Sequence, residues 1–278
     1  MITEWYDGFT IDYSLKMSAP RISASSYSNT APLVWSFLYG SNHGKVEIIL
    51  DNAPARSAEL LMQDRVDAAL VPVIASQFIE GVRIIPGVCV GAREKVRSVA
   101  LVTRGADLAD IRSVSLDTSS RTSVVLTKII FREFLGFEPA WANAEPDIDS
   151  MLAASDAALL IGDPALSLSN EPNYRVFDLA GLWREYTGLG FIFAMWMSRR
   201  DHVSIDFAAA RDEGFRHLEE IVANYESQIP LSHGELVNYL SNNISYNPDE
   251  SMLDGMKLYF DLAFKNNLTD KAVDLRYL

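Results

Sequence analysis

The sequence predicts an α/β fold of two lobes with a cleft between them and a helical C-terminal tail. Three observations carry this. Apolar strand-like runs alternate with helical patterns from Arg21 to Val71, the rhythm of a parallel sheet with helical crossovers. The same rhythm restarts between Ser113 and Tyr186, as a second sheet with its own helices requires. From Ile205 onward the apolar residues recur only at helical spacing. A chain of 278 residues, 49% hydrophobic and 22% charged, is long and apolar enough for two globular cores.

Residues 1–20 include acidic positions and lack an apolar stretch, unlike a secretory signal, and are expected to form an extension before the fold. A strand at Arg21–Ala24 leads into a helix with Pro32 in its first turn, ending near Gly40. Val46–Leu50 is the next strand, Pro54 opens a helix through Met62, and Ala68–Val71 follows as a strand. Two further extended runs, Val82–Val90 and Val96–Val102, are joined by a charged turn at 92–94. Strand Ser113–Leu116 feeds a helix to about Leu135. Beyond it, Pro139–Ala142, Ala157–Ile161 and Val176–Leu179 read as strands, with helices at Ile148–Ala154 and Ala180–Tyr186. Phe191–Met197 returns as an apolar strand. Helices are expected at Ile205–Tyr225, with Phe215, Leu218, Val222 and Tyr225 on one face, and at Ser232–Leu240 and Asp249–Asn267. The first lobe is thus expected to comprise 21–103 and, after the second at 104–190, to be completed by 191–278. The two crossings are expected near Leu101–Gly105 and Gly190–Ser198.

A formal charge of −13 argues against nucleic acid, which needs a basic face. The longest apolar run, Leu189–Met197, is far too short to span a bilayer, so no membrane partner is expected. A single cysteine, Cys89, suits a reducing compartment, and a cytoplasmic protein is expected. GSNHGKV at Gly40–Val46 is one residue short of a phosphate loop and lacks its hydroxyl, so it reads as a helix terminator. GVCVG at Gly87–Gly91 has the outline of a nucleophile elbow, but another strand follows where a helix must, which leaves Cys89 a small buried apolar residue. His43, His202, His217 and His233 are scattered without metal-ligand spacing, and no dinucleotide fingerprint is present. No metal and no cofactor are expected. A homodimer is compatible with the sequence, though nothing in it selects one.

In α/β sheets ligands sit outside the carboxyl ends of strands. Four loops occupy that position: Tyr27–Thr30, Pro72–Ile74, Asp117–Ser123 and Gly162–Pro164. They supply the candidate binding residues Tyr27, Thr30, Ser120, Arg121, Thr122, Ser123, Gly162 and Asp163. The third is the most informative, because DTSSRTS joins a strand to a helix start rich in hydroxyls. Such a start offers free N–H groups to an anion, and Arg121 adds a two-pronged donor for a carboxylate. An ordinary capped helix has the same local composition. Ser98 lies in an otherwise apolar strand and either faces the same gap or is a hydroxyl satisfied within a sheet.

YSNTAPL (Tyr27–Leu33), DAALVP (Asp67–Pro72), RSVALV (Arg97–Val102), LDTSSRTSVVL (Leu116–Leu126), AALLIGDPAL (Ala157–Leu166) and the run Trp183–Trp196 together resemble the MqnA family. That family is the chorismate dehydratase of the futalosine route to menaquinone. The likeness is collinear from about Arg21 to Arg200. It implies a type II periplasmic-binding-protein-like fold and a cytoplasmic, cofactor-free enzyme that removes water from chorismate to give 3-[(1-carboxyvinyl)oxy]benzoate. Carried over by motif, it implies that Asn29 and Ser98 serve catalysis and that Ser120–Ser123 hold a substrate carboxylate. In the family the enolpyruvyl carboxylate of the substrate is thought to act as base. Two positions depart from the pattern: Ser28 replaces a leucine and puts a polar group near the pocket, and Gly190 replaces a proline and can loosen the second crossing. Two alternatives stay open. The sister 1,4-dihydroxy-6-naphthoate synthase (MqnD) shares the fold but relies on a histidine, and no histidine here falls on a cleft loop. A non-catalytic binder of small carboxylates also fits the fold.

Overall fold

The computed structural model describes residues 19–168, 171–270 and 274–278. The expected extension, 1–20, lies outside the described residues apart from its last two. In chain order the elements are β1 (Arg21–Ser25), α1 (Ala31–Leu38), β2 (Glu47–Asp51), α2 (Pro54–Met62), β3 (Ala68–Pro72), β4 (Arg83–Ala92) and β5 (Val99–Thr103). Next come β6 (Ser113–Asp117), α3 (Thr122–Ile129), β7 (Ala140–Ala144), α4 (Ile148–Ala154), β8 (Ala157–Ile161), α5 (Gly162–Ser167), β9 (Arg175–Asp178) and α6 (Leu179–Thr187). β10 (Phe191–Ser198) precedes α7 (Phe207–Arg216), α8 (Leu218–Tyr225), α9 (His233–Asn238) and α10 (Glu250–Lys265).

Two five-stranded sheets result, with strand orders β2-β1-β3-β10-β4 and β7-β6-β8-β5-β9. β1, β2 and β3 are parallel, as their helical crossovers require. β3 is buried along its whole length, which explains its uninterrupted apolar sequence AALVP. The return strand β10 inserts antiparallel between β3 and β4. In the second sheet β5 runs antiparallel to both β8 and β9. The two lobes are therefore both mixed sheets, not parallel ones.

β5 corrects the expected boundary. It belongs to the second sheet, so the first crossing is residues 93–98 and not Leu101–Gly105. VALVT is buried on both faces, and such a strand satisfies either sheet equally well. The helix expected over Ile205–Tyr225 is two helices, α7 and α8. They part at His217, whose ring stacks on Trp35 at 3.7 Å between centroids. Gly214 is required just before the break: a Cβ there would stand 2.0 Å from the Pro32 carbonyl, so only glycine lets α7 lie directly on α1. The helix expected to reach Leu135 is α3 followed by a π-helical turn, Ile130–Leu135, closed by Gly136 in the left-handed region at φ +77.

One continuous apolar cluster runs through both sheets, and a smaller one lies beneath α4 and α5. The tail ties the lobes together. α10 packs on β10, and its Tyr259 hydroxyl donates to the Thr122 carbonyl at the start of α3 (3.0 Å). Gly190, at the second crossing, is tightly held and not loosened. Its N–H donates to Ser251 Oγ (3.1 Å) and its carbonyl accepts from Trp183 (3.2 Å). A proline would lose the first bond, and a Cβ there would meet Met252 at 2.6 Å.

Candidate active site

The pocket lies between the two sheets. Tyr27, Asn29 and Thr30 line it from the first, with Pro72 from the end of β3 and Phe193 and Ala194 from β10. Ser120, Arg121, Thr122, Ser123 and Gly162 line it from the second. Of the ten candidate residues, eight meet there. Ser98 and Asp163 do not reach the lining. Ser98 is fully buried, and Asp163 is engaged in a contact between lobes. Sequence reasoning missed Phe193 and Ala194, because β10 reads only as an apolar strand and its insertion beside β3 has no local signal.

The loop between β6 and α3 is built by Asp117. One carboxylate oxygen accepts the Ser119 N–H (2.9 Å) and hydroxyl (2.5 Å), and the other accepts the Ile161 N–H (3.2 Å). These bonds fold the loop as an aspartate turn and tie it to the end of β8. Burial raises the Asp117 pKa, and the Ser119 bonds work against that rise. α3 then begins at Thr122 with no side chain capping it. Its first N–H groups have no acceptor within the helix, and its first residues, Thr122 and Ser123, line the pocket with Ser120. Arg121 precedes them, its guanidinium 3.4 Å from Glu59 of α2 and 6.0 Å above the Phe78 ring. Thr30 and Thr122 serve the scaffold: the Thr30 hydroxyl is 2.6 Å from the Ser25 carbonyl, and Thr122 Oγ1 accepts the Ile74 N–H at 3.3 Å.

The lobes are closed on one another. Ser28 donates its hydroxyl (2.5 Å) and its N–H (3.1 and 3.2 Å) to Asp163, so the polar group that departs from the resembled family faces a partner, not the pocket. Burial raises the Asp163 pKa and the Ser28 bonds oppose it. The Tyr27 ring covers Gly162, which stands at φ +66; a Cβ there would meet the ring at 2.7 Å. Gly162 also donates its N–H to the Ser98 carbonyl (2.8 Å).

Ser98 is set by an unusual turn. Its N–H bonds the Val96 carbonyl (2.8 Å) across Arg97, which has φ +61, a γ-turn that a non-glycine residue adopts only under strain. Asp178 holds the turn by accepting the N–H groups of Val96 (3.2 Å) and Arg97 (2.6 Å), while also capping α6. The Ser98 hydroxyl donates to the Val96 carbonyl over a long 3.4 Å.

No histidine lines the pocket. His217 stacks on Trp35 and pairs with Glu220, and His233 lies between Glu219 and Glu226. Cys89 is buried inside β4, its thiol 3.3 Å from the Ser245 carbonyl. Among the described residues, no helix is long and apolar enough to cross a membrane, and no cluster of His, Cys, Asp and Glu could hold a metal ion.

Two mixed sheets, two crossings and a pocket between them define a periplasmic-binding-protein-like fold. Solved structures agree. An Archaeoglobus fulgidus protein superposes with a TM-score of 0.67 at 16% identity, covering 90% of this chain and 98% of that one. The periplasmic aliphatic sulphonate binding protein SsuA of Escherichia coli does so at 0.63 and 18%, covering 92% and 90%. At such identities the likeness is one of fold. The sequence goes further: residues 20–265 match the family described as menaquinone biosynthesis, and the chain belongs to that family. A chorismate dehydratase of Thermus thermophilus is 30% identical over 236 residues, 76% of this chain and 84% of that protein.

Proposed function

We propose that the protein is a chorismate dehydratase of menaquinone biosynthesis, working in the cytoplasm without a cofactor. It removes the ring hydroxyl and a neighbouring ring proton from chorismate as water and leaves 3-[(1-carboxyvinyl)oxy]benzoate. The observation that carries this reading is that the family match, residues 20–265, contains every residue lining the pocket.

The site's chemistry supports it. Chorismate carries two carboxylates, and an acidic protein must receive them where donors outnumber acids. The uncapped start of α3 with Arg121 is such a place. Asp117 and Asp163 lie nearby, but their oxygens already accept bonds from Ser119, Ile161 and Ser28. Asn29 stands on the opposite wall and orients the reacting ring, with Ser98 behind the lining acting on the same region. Breaking the C–H and C–O bonds makes the ring aromatic, so the protein's task is to orient and to stabilise developing charge. A pocket without histidine suits a proton taken up by the substrate's own enolpyruvyl carboxylate, and disfavours the sister synthase.

Incubating the purified protein with chorismate should yield an aromatic acid lighter by one water, read by absorbance and mass. Asn29→Ala and Ser98→Ala should each lower turnover by about a hundredfold or more while leaving the fold intact. Chorismate bound but recovered unchanged would replace the enzyme with a carboxylate-binding protein. Wild-type rates in both variants would overturn the residue assignment.

A further inference from the structure

We propose that Tyr239 is a positioning residue of this site, its hydroxyl fixing the side chains of Asn29 and Ser98 in their working orientation. The inference rests on the chorismate dehydratase reading and assigns a part to a residue of the helical tail.

Tyr239 opens a π-helical turn, Tyr239–Asn243, after α9. Such turns change the phase of a helix and turn a side chain aside from the regular path. The segment that follows is stitched to the end of β4 and to the first crossing. Gly91 and Ser245 exchange backbone bonds (3.0 and 2.8 Å), and Asn243 Nδ2 donates to the Lys95 carbonyl (3.3 Å). The tail is thereby anchored at the stretch of chain that carries Ser98.

The ring of Tyr239 is fully buried, and its hydroxyl comes within reach of the Ser98 and Asn29 side chains. Neither contact meets the geometry of a directed hydrogen bond, and among the described residues the hydroxyl has no other partner. A phenylalanine would fill the same space without burying an unpaired polar atom, so the hydroxyl has no use in packing alone. Its partners do have a use for it. The directed bond of the Ser98 hydroxyl, to the Val96 carbonyl, is long at 3.4 Å, and Asn29 carries both a donor and an acceptor. A phenol that donates once and accepts twice completes both when small shifts of the lobes bring the three groups into line. Burial and the Asp163 charge hold the Tyr239 pKa far above its ordinary value, so it keeps its proton as a donor.

The test is Tyr239→Phe in the full chain, with wild-type and Tyr246→Phe alongside. Tyr246 is also buried with its hydroxyl unpaired, but its charged and polar neighbours are Tyr239, Tyr225 and Cys89, not the pocket residues. Tyr239→Phe should lower kcat by about tenfold to thirtyfold, change KM by less than about twofold, and leave the melting temperature at or above wild type. In single-turnover measurements on a Ser98→Ala background the same change should cost less than about threefold, because the group it acts through is gone. Tyr246→Phe should turn over chorismate as wild type does. A wild-type kcat for Tyr239→Phe, an undiminished loss without the Ser98 hydroxyl, or an equal loss in Tyr246→Phe would each overturn the proposal. A wild-type chain that does not dehydrate chorismate would remove the functional reading itself, an outcome visible in the same assay before any variant is compared.

Discussion

Replacing Gly162 by alanine should act on lobe closure more than on folding, and the size of the effect follows from two contacts. At φ +66 the backbone is left-handed, which costs a residue with a Cβ roughly 1–2 kcal/mol. The new Cβ would lie 2.7–2.8 Å from three ring atoms of Tyr27. That is about 1 Å inside the ordinary carbon–carbon separation. Gly162 sits at the end of β8 in the second sheet and Tyr27 follows β1 in the first, so the overlap is relieved by parting the lobes without unfolding either. Parting also loses the Ser28–Asp163 bonds, so the closed state should be disfavoured by about 1.4 kcal/mol or more, a tenfold or greater fall in the closed-to-open ratio. The backbone strain alone should lower the melting temperature by only about 2–4 °C. Steady-state turnover of chorismate should therefore show KM raised about tenfold against a modest thermal shift. A Gly162→Ala protein with wild-type KM would refute the argument, because it would mean that closure on Tyr27 is no part of substrate capture. A melting temperature lowered by more than about 10 °C would show that the residue supports folding instead.

Three other outcomes follow. Arg121→Met should raise KM for chorismate about tenfold with less effect on kcat, and Arg121→Lys should fall between, since lysine keeps the charge and loses the planar fork; equal KM for all three proteins would remove Arg121 from carboxylate binding. Ser28→Ala takes a donor from a buried carboxylate and should destabilise the fold by about 1–2 kcal/mol near neutral pH. Because burial already raises the Asp163 pKa, its charged form is the costly one in the folded chain. The deficit should be smallest where Asp163 is protonated in the folded chain and grow as pH rises above the ordinary aspartate range, through the raised folded-state value, which denaturant titrations at acid and neutral pH will read; a deficit that grew on acidification would contradict this sign. Cys89 is fully buried and burial pushes its thiol pKa up, so the native protein should resist thiol reagents that label it promptly once unfolded; prompt native labelling would mean that β4 opens.

What was legible in the sequence, and what was not, divides along the range of the interaction involved. The alternation of strands and helices is written in local spacing, and so is the turn from β6 into α3, where Asp117 bonds a residue only two positions on. The sheet to which β5 belongs is not local: VALVT is equally suited to either core, and its pairing with Leu159, 58 positions away on β8, settles the matter. The break at His217 is likewise invisible in an unbroken apolar face, because it depends on stacking against Trp35 and on Gly214 meeting Pro32. The same division runs through the candidate site. Loops at strand ends were proposed because that location is a rule of the fold, and most of their candidate residues line the pocket; the family resemblance singled out Asn29 from one loop and Ser98 from a strand-like run. Tyr239 opens a π-helical turn in the tail, and nothing local to it announces that the following segment is tied to Gly91 and Lys95, far back in the chain. The γ-turn at Arg97 is another such feature: nothing in KVRS announces a left-handed residue, and Asp178, which holds it, arrives 81 positions later. A site assembled between two lobes by a strained crossing and a returning tail is therefore read from sequence only at its rim, where loops obey local rules. Its floor is the product of long-range closure, and that is where the positioning residues of the reaction should be sought.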